Sequence, residues 1–148
     1  MTTTATGVHR DLDLARLLTL VERRVVLRLA DALKAEGTTI EEWRVLTLLA
    51  DGNGHPMTEI AEYAALPAPS LTKLTDRLVS QNLVLRRADE VDRRRVLVFV
   101  ADRGRQALER WNAAAKDEYD DIVAALGSEE TALLRALLTN ASKRLGNA

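Results

Sequence analysis

Residues 83–101, LVLRRADEVDRRRVLVFVA, contain two runs of branched and aromatic side chains on either side of a short charged segment. Such runs favour strands, and a short polar loop between them is typical of an antiparallel hairpin. Alternation places Val96, Val98 and Val100 on one face of the second strand. The hairpin is the only strand signal in the chain, and it would carry the three arginines 93–95 close to its tip.

A long helix is predicted near the start of the chain. Apolar residues recur at spacings of three and four from Leu14 to Leu33, which is the period of a single helical stripe. Gly37 follows the last of them, and glycine is favoured just past a helix C-terminus. Because the other faces carry arginines, this helix is amphipathic and needs an apolar surface to lie on.

Three short helices are predicted between this helix and the hairpin. Thr39 and Glu42 have the spacing of a capping box, which marks the start of the first. Thr58 is expected to cap the second. Pro69 is expected at the first position of the third, which would stop at Asn82 because asparagine tolerates the left-handed conformation. Two short helices joined by a proline turn and followed by a basic hairpin describe a winged helix-turn-helix.

Two further helices are predicted after the hairpin. The first is long, with Asp102 as its expected N-cap, and Gly127 separates it from a last, leucine-rich helix. The predicted fold class is therefore mainly α with a small β-hairpin, in a single domain of 148 residues. The winged helix-turn-helix lobe would span about 39–101, with dimerisation helices at about 10–36 and 103–146.

The composition argues against several classes of protein. The chain has no cysteine, which excludes disulfides and thiolate metal sites, and His9 and His55 stand alone without metal-ligand spacing. No segment resembles a signal peptide or a membrane span, so we expect a cytoplasmic protein without a membrane partner. We find no paired nucleophile and base and no glycine-rich phosphate loop. We therefore expect no catalytic residue, no cofactor and no enzyme activity.

The net charge of −1 conceals an uneven distribution. The stretch from Ser70 to Arg105 carries nine basic and five acidic residues, whereas the rest of the chain carries 12 basic and 17 acidic ones. Such an asymmetry indicates one surface that faces an anion, with the acidic parts held away from it.

The segment DRRRVLVFVADRG, Asp92 to Gly104, resembles the signature of the MarR family of winged-helix transcription regulators. In that family an Asp-x-Arg at the wing precedes a valine-rich strand, and a glycine opens the next helix. Asp92, Arg94, Val98 and Gly104 stand at the matching positions. The upstream segments WRVLTLLA and TEIAEYAALPAPSLTKLTDRLVSQNLVLRR are also similar, as are the long outer helices. The resemblance therefore covers nearly the whole chain.

Two positions depart from the family pattern. Ala101 stands where the family usually has a threonine that caps the following helix, so Asp102 is expected to take over that role. Asn82 replaces a common glycine before the first wing strand. Neither is a DNA-facing position, so these departures affect helix boundaries and not the implied function.

The resemblance implies double-stranded DNA as a partner, with the fourth helix in the major groove, which admits one α-helix. The expected contacts from this helix are Pro69, Ser70, Thr72, Lys73 and Arg77. Those from the wing are Arg86, Arg87, Asp92, Arg93, Arg94 and Arg95. We expect Arg94 to enter the minor groove, and Arg93 with Arg86 or Arg87 to contact phosphates. Asp92 would orient a guanidinium. For Arg95, which opens the strand, a structural role is the alternative.

The outer helices predict a homodimer, because two long amphipathic helices exceed what a winged-helix core needs to cover. In the family these helices interdigitate with those of a second subunit. The expected dimerisation residues are Leu14, Leu18, Val21, Leu133, Leu137 and Leu138. An elongated monomer with a larger helical bundle is the alternative.

The resemblance also implies a small-molecule effector. Family members commonly bind small anionic aromatic compounds between the dimerisation helices and the DNA-binding lobe, which weakens DNA binding. The candidate lining residues are Arg16, Arg24, Trp43, Tyr63 and Trp111. Trp43 also has a simpler interpretation as a core residue, and Trp111 as part of the dimer packing.

These features predict a sequence-specific transcriptional regulator: a ligand-responsive repressor that binds a pseudo-palindromic operator as a homodimer. The alternative is a winged-helix module whose hairpin and basic helix bind an acidic protein surface. The charge pattern by itself does not separate the two.

Overall fold

The computed structural model describes residues 12–146, which form six helices and three strands. The helices are α1 (Leu14–Ala35), α2 (Ile40–Leu49), α3 (Met57–Ala64), α4 (Ala68–Ser80), α5 (Asp102–Leu126) and α6 (Ser128–Gly146). The strands are β1 (His55–Pro56), β2 (Val84–Ala88) and β3 (Val96–Val100). The mainly α fold with a small hairpin is confirmed. His9 and the predicted start of the first helix near residue 10 lie outside the described residues.

The predicted hairpin is present, with Val84 opposite Val100 and Ala88 opposite Val96. The expectation of a single hairpin was incomplete, because β1 pairs antiparallel with the other edge of β3 and gives the order β1-β3-β2. A two-residue strand that contains a proline gives no pattern to detect. Gly54, which directly precedes β1, allows the chain to pass close to β3, because a Cβ at this position would lie 2.4 Å from the Phe99 ring.

The core lies between the winged helix-turn-helix and the first half of α5. α4 contributes Leu71, Leu74 and Leu78, all buried as predicted. Their neighbours are fully buried side chains from α1, α2, α3 and β3, namely Leu33, Val45, Leu46, Leu49, Ile60 and Val98. Each such side chain contributes about 1.5–3 kcal/mol through removal from water. This core fixes which face of α4 remains in solvent.

Three of the predicted helix ends are confirmed by backbone geometry. Gly37 has a φ of +76°, and the N–H of Thr38 donates to Leu33 O at 3.2 Å, the closing bond of a Schellman motif. Thr39 Oγ1 accepts from the N–H of Glu42 at 3.2 Å and so caps α2. Asn82 has a φ of +60° just after α4, which is the left-handed conformation expected of it.

Three other boundary predictions were wrong by one residue or more. Thr58 does not cap α3, which begins at Met57 after the extended Pro56. Pro69 occupies the second helical position, because α4 begins at Ala68. Asp102 is the first residue of α5 and not its N-cap, so its carboxylate favours the positive helix end without a capping bond. In each case the chain enters the helix from an extended residue whose side chain makes no capping bond.

The outer helices expose apolar side chains. α6 has no buried residue over its whole length, and α1 has only Leu29 and Leu33 buried. We name as the outer apolar face the six residues predicted to mediate dimerisation: Leu14, Leu18, Val21, Leu133, Leu137 and Leu138. Their exposed fractions run from 42% to 65%. A leucine-rich helix that packs on one neighbour alone leaves most of its apolar surface in water.

Gly104 provides the closest contact between the wing and α5. A Cβ at this position would lie 2.1 Å from the carbonyl oxygen of Leu83 and 2.9 Å from Cγ2 of Val100. The same carbonyl accepts a hydrogen bond from the N–H of Ala101 at 2.9 Å. Glycine is therefore required here for backbone approach, since its φ is not in the left-handed region.

We expect Gly104→Ala to destabilise the protein, although alanine is the better helix former by about 1 kcal/mol. The methyl group would force α5 and the wing apart, at the usual cost of overpacking, about 1–3 kcal/mol. Urea unfolding at a fixed protein concentration measures this. Gly146→Ala is the matched control, because a Cβ at Gly146 meets nothing within 4 Å. Equal stabilities for the two variants would contradict the packing argument.

His55 joins the end of α2 to α3 through two carboxylates. Its Nε2 lies 2.9 Å from Asp51 Oδ2, and its Nδ1 lies 2.9 Å from Glu59 Oε2. Burial lowers the pKa of His55, but the hydrogen bonds to Glu59 and Asp51 outweigh it, so the pKa is raised overall. The pKa of Asp51 is lowered, first by the backbone N–H of Asn53 and then by His55. When both ring nitrogens are protonated, the imidazole donates one hydrogen bond to each of the two carboxylates.

A raised pKa in the folded state gives a stabilisation that is complete below the unfolded pKa, about 6.5, and is lost as pH rises through the folded value. We therefore expect the wild type to exceed His55→Gln in free energy of unfolding by the largest margin below about pH 6.5, with the margin shrinking as pH rises above that and through the raised folded pKa. Urea titrations over that range measure it. A margin that grows with pH would show that the neutral ring makes the contact.

Candidate nucleic-acid interface

Helix α4, which was predicted to enter the major groove, presents a polar stripe to solvent. Ser70, Lys73 and Arg77 recur at spacings of three and four on its exposed side, opposite the buried leucines. Pro69 and Thr72 are also exposed, and the Thr72 hydroxyl donates to Ala68 O at 3.0 Å. All five residues predicted for this helix therefore lie on the surface.

Two of the arginines predicted to contact DNA are engaged by carboxylates of the protein. Arg77 Nη2 lies 3.2 Å from Oε1 of Glu42 at the start of α2. Arg86 on β2 donates to Asp76 on α4. The sequence showed these acids only as a capping residue and a surface residue. Nothing in helical or strand spacing identifies a partner on another element, so these pairings were missed.

Backbone hydrogen bonds to two aspartates shape the wing turn. Asp92 Oδ1 accepts from the N–H of Arg94 at 3.1 Å, and Asp89 Oδ1 accepts from the N–H of Val91 at 3.0 Å. These are Asx turns, in which a short carboxylate mimics a backbone turn. The expectation that Asp92 orients a guanidinium was wrong, because its carboxylate instead fixes the backbone that carries Arg94.

The wing arginines differ in what surrounds them. Arg95 Nε lies 3.9 Å from Asp89 Oδ2, and the Arg87 guanidinium lies 5.7 Å from the centre of the Phe99 ring, a cation–π contact. Arg93 and Arg94 are exposed, and within residues 12–146 neither has an ion-pair partner. The contact with Asp89 supports the structural role considered for Arg95. Arg93 and Arg94 remain available to an external anion.

We name three exposed residues the free cations: Lys73, Arg93 and Arg94. Arg87 also has no ion-pair partner in the described chain, but its guanidinium lies over the Phe99 ring. Like the two wing arginines, Lys73 is exposed and has no ion-pair partner in the described part of the chain. Three unneutralised charges on a helix and on a neighbouring hairpin tip attract a polyanion and are repelled by one another.

A second feature is a groove of about 800 Å³ between α1, α5 and α6. Its wall is largely aliphatic, with Leu14, Leu18 and Val21 of the outer apolar face among the lining residues. Polar groups reach it from several elements: Glu22, Arg44, Tyr119, Thr131, Arg135 and Thr139. The groove could take an apolar or aromatic molecule, with Arg44 or Arg135 near an acidic group.

None of the five residues predicted for an effector site lines this groove. Arg16 pairs with Asp13 (Nε to Oδ1, 2.6 Å), while Arg24 and Tyr63 are exposed elsewhere. Trp43 Nε1 donates to Asn112 Oδ1 at 2.8 Å from a half-buried position. Trp111 is 5% exposed within a single chain, so it packs in the core and not in a dimer interface. Residue type alone could not reveal how α1, α5 and α6 meet.

Other kinds of site receive no support from the part of the chain that is described. Over residues 12–146, no group of three or more histidines and acids is placed to hold a metal ion. None of the helices within that range is both long enough and apolar enough to cross a membrane.

Comparisons with known proteins agree with this geometry. The family model of the MarR family matches residues 38–96. The HTH-type transcriptional regulator FarR of Neisseria gonorrhoeae is 32% identical over 105 residues, which cover 71% of this chain and 72% of FarR. The homoprotocatechuate degradative operon repressor of Escherichia coli is 27% identical over 71% of each chain.

A solved structure shows the same architecture over most of the chain. It is that of NadR in complex with 4-hydroxyphenylacetate, which is 28% identical and superimposes with a TM-score of 0.75, covering 85% of this chain and 89% of NadR. Sequence relationship and fold therefore point to one group of proteins. The chain belongs to the MarR family, and it is a winged helix-turn-helix transcriptional regulator.

Proposed function

We propose that the chain is a homodimeric repressor that binds a pseudo-palindromic operator. The observation that carries this proposal is the set of free cations, Lys73 on α4 and Arg93 and Arg94 on the wing, beside arginines whose charges are already neutralised. A protein that binds DNA needs cations available to phosphates, because release of counterions supplies much of the affinity.

In the proposed complex, α4 lies in the major groove. Ser70, Thr72 and Lys73 offer hydroxyl and ammonium groups to base edges and phosphates, and Pro69 stands at the N-terminal end of the helix. Arg94 enters the minor groove and Arg93 contacts a phosphate. Arg87 on its aromatic platform adds a phosphate contact beside the wing.

The outer apolar face supports a two-fold dimer. The described chain leaves these six leucine and valine side chains largely in water, a cost that a second copy removes. A two-fold dimer presents two α4 helices to half-sites that are about 34–36 Å apart, one turn of B-DNA. Operator symmetry would then mirror protein symmetry.

We also propose that an anionic aromatic compound acts as the effector and binds in the groove. The groove has apolar walls with Arg44 and Arg135 among its lining residues, which suits a ring with a carboxylate. NadR, of the same fold, was solved with such a compound, 4-hydroxyphenylacetate. In this proposal Arg44 and Arg135 face the carboxylate of the effector, and none of the five residues that the sequence suggested lines the groove.

We infer that this function needs no catalytic step and no cofactor, and that the protein acts in the cytoplasm, with the DNA that it binds. The alternative, a winged helix that binds an acidic protein surface, would use the same free cations. The regulators among its relatives favour DNA. Binding to DNA and its salt dependence separate the two possibilities.

We expect Arg94→Ala to weaken binding to the DNA that flanks the chain's own gene by roughly tenfold, equivalent to about 1.4 kcal/mol per dimer. The plot of log affinity against log salt should lose a slope of about 1 per subunit, because one counterion-releasing contact disappears. Gel shifts at several salt concentrations measure both. Arg144→Ala, which removes the same charge from the last turn of α6, is the control and should retain wild-type binding.

Absence of any DNA shift by the wild type, or a shift that is insensitive to salt, would refute the proposed function. Capture of an acidic protein through the same arginines would then favour the alternative. Equal losses in Arg94→Ala and Arg144→Ala would show that only net charge matters, and the wing would have no special role.

We expect Leu137→Glu to convert the dimer to a monomer, because it places a charge in the outer apolar face where Leu137 is 59% exposed in a single chain. Light scattering after gel filtration measures the mass. Ala132→Glu, on the side of α6 away from the leucines by helical spacing, is the control and should remain dimeric. A Leu137→Glu protein of unchanged dimeric mass would place the interface elsewhere.

A further inference from the structure

Glu42 is a buried acid at the junction of three elements. Its side chain is 8% exposed, although it stands in the first turn of a helix where a glutamate would normally face water. Oε2 accepts from the hydroxyl of Thr38, between α1 and α2, at 3.2 Å, and Oε1 lies 3.2 Å from Arg77 Nη2 on α4. The return bond of a capping box, in which the N–H of Thr39 would donate to the Glu42 carboxylate, is replaced by these two contacts.

The direction of Arg77 follows from this pairing. Its Cα lies on the exposed stripe of α4 with Ser70 and Lys73, so spacing alone predicts a DNA contact. The guanidinium instead lies at the buried carboxylate, and the side chain is 53% exposed. A buried charge is tolerated only when it is paired, so Glu42 requires Arg77 beside it, whereas the free cations have no carboxylate partner in the described chain.

We propose that Arg77 is a positioning residue for α4 and not a DNA contact, and that Glu42 is its fixed partner. The inference rests on the proposed function, because it concerns how the recognition helix is set for DNA. The Thr38–Glu42 hydrogen bond and the Glu42–Arg77 ion pair together connect the last third of α4 to the segment between α1 and α2. It therefore sets the angle at which Ser70 and Lys73 enter the groove.

The two roles of Arg77 predict opposite signs for a change at Glu42. If Arg77 binds a phosphate, removal of the nearby negative charge leaves operator affinity unchanged or raises it. If Arg77 positions α4, Glu42→Gln weakens binding although it removes a negative charge and touches no DNA. The isosteric amide keeps the volume and the Thr38 contact, so the fold is retained.

The test measures operator affinity at several salt concentrations for the wild type, Glu42→Gln, Arg77→Ala and the double variant. We expect each single variant to weaken binding by roughly tenfold, the double variant to lose no more than the worse single one, and the salt slope to stay at the wild-type value. Glu41→Gln, the same change at a neighbour with no ion pair in the described chain, is the control and should bind normally.

A decrease in slope of about 1 per subunit for Arg77→Ala, or normal affinity for Glu42→Gln, overturns the proposal. Measuring well below the unfolding transition separates positioning from stability, because loss of stability alone leaves the affinity of the folded dimer unchanged. A urea double-mutant cycle on the same four proteins tests the pair without DNA. Zero coupling there also overturns the proposal, even if the wild type fails to bind DNA and the proposed function falls.

Discussion

The carbonyl oxygen of Leu83 is the point on which the wing depends. It accepts the N–H of Ala101 at 2.9 Å, and Gly104 passes so close to it that any side chain would collide. This contact fixes the start of β2 against the start of α5, so the hairpin is attached to the same helix that runs out to the groove and α6. The direction of Arg94 in the proposed complex therefore follows from a backbone contact at the opposite end of the hairpin.

The acids near the basic surface explain how a chain of net charge −1 can be a DNA-binding protein. Asp89 and Asp92 build the wing turn from backbone hydrogen bonds, and Asp76 neutralises Arg86. These carboxylates shape the surface, and in the described chain three of the nine basic residues of 70–105 have an ion-pair partner, namely Arg77, Arg86 and Arg95. Fewer cations are therefore available to DNA than the number of basic residues in 70–105 suggests. The positions of the unpaired cations indicate the DNA-binding surface better than the net charge does.

The sequence predicted what depends on local periodicity and turn chemistry. The stripes of α1 and α4, the left-handed Gly37 and Asn82 and the alternation of β3 all follow from spacing within one element. β1 could not be predicted, because two residues with a proline have no pattern and pair only when Gly54 admits the Phe99 ring. The exposed faces of the candidate site were predicted, but the partners of Arg77 and Arg86 were not. Those pairings depend on how whole elements are placed, and so does the lining of the groove, which includes none of the five predicted effector residues.

Because α6 has no buried residue within one chain, the fraction of the protein that can bind an operator should depend on its concentration. A last helix with no buried residue gains its support from a second chain in the proposed dimer, so the form able to bind an operator arises when two copies of the chain associate. When dimers are scarce, halving the amount of subunit lowers their number about fourfold. Control of the target genes would then respond more steeply to the level of the regulator than a monomeric protein with the same recognition helix allows.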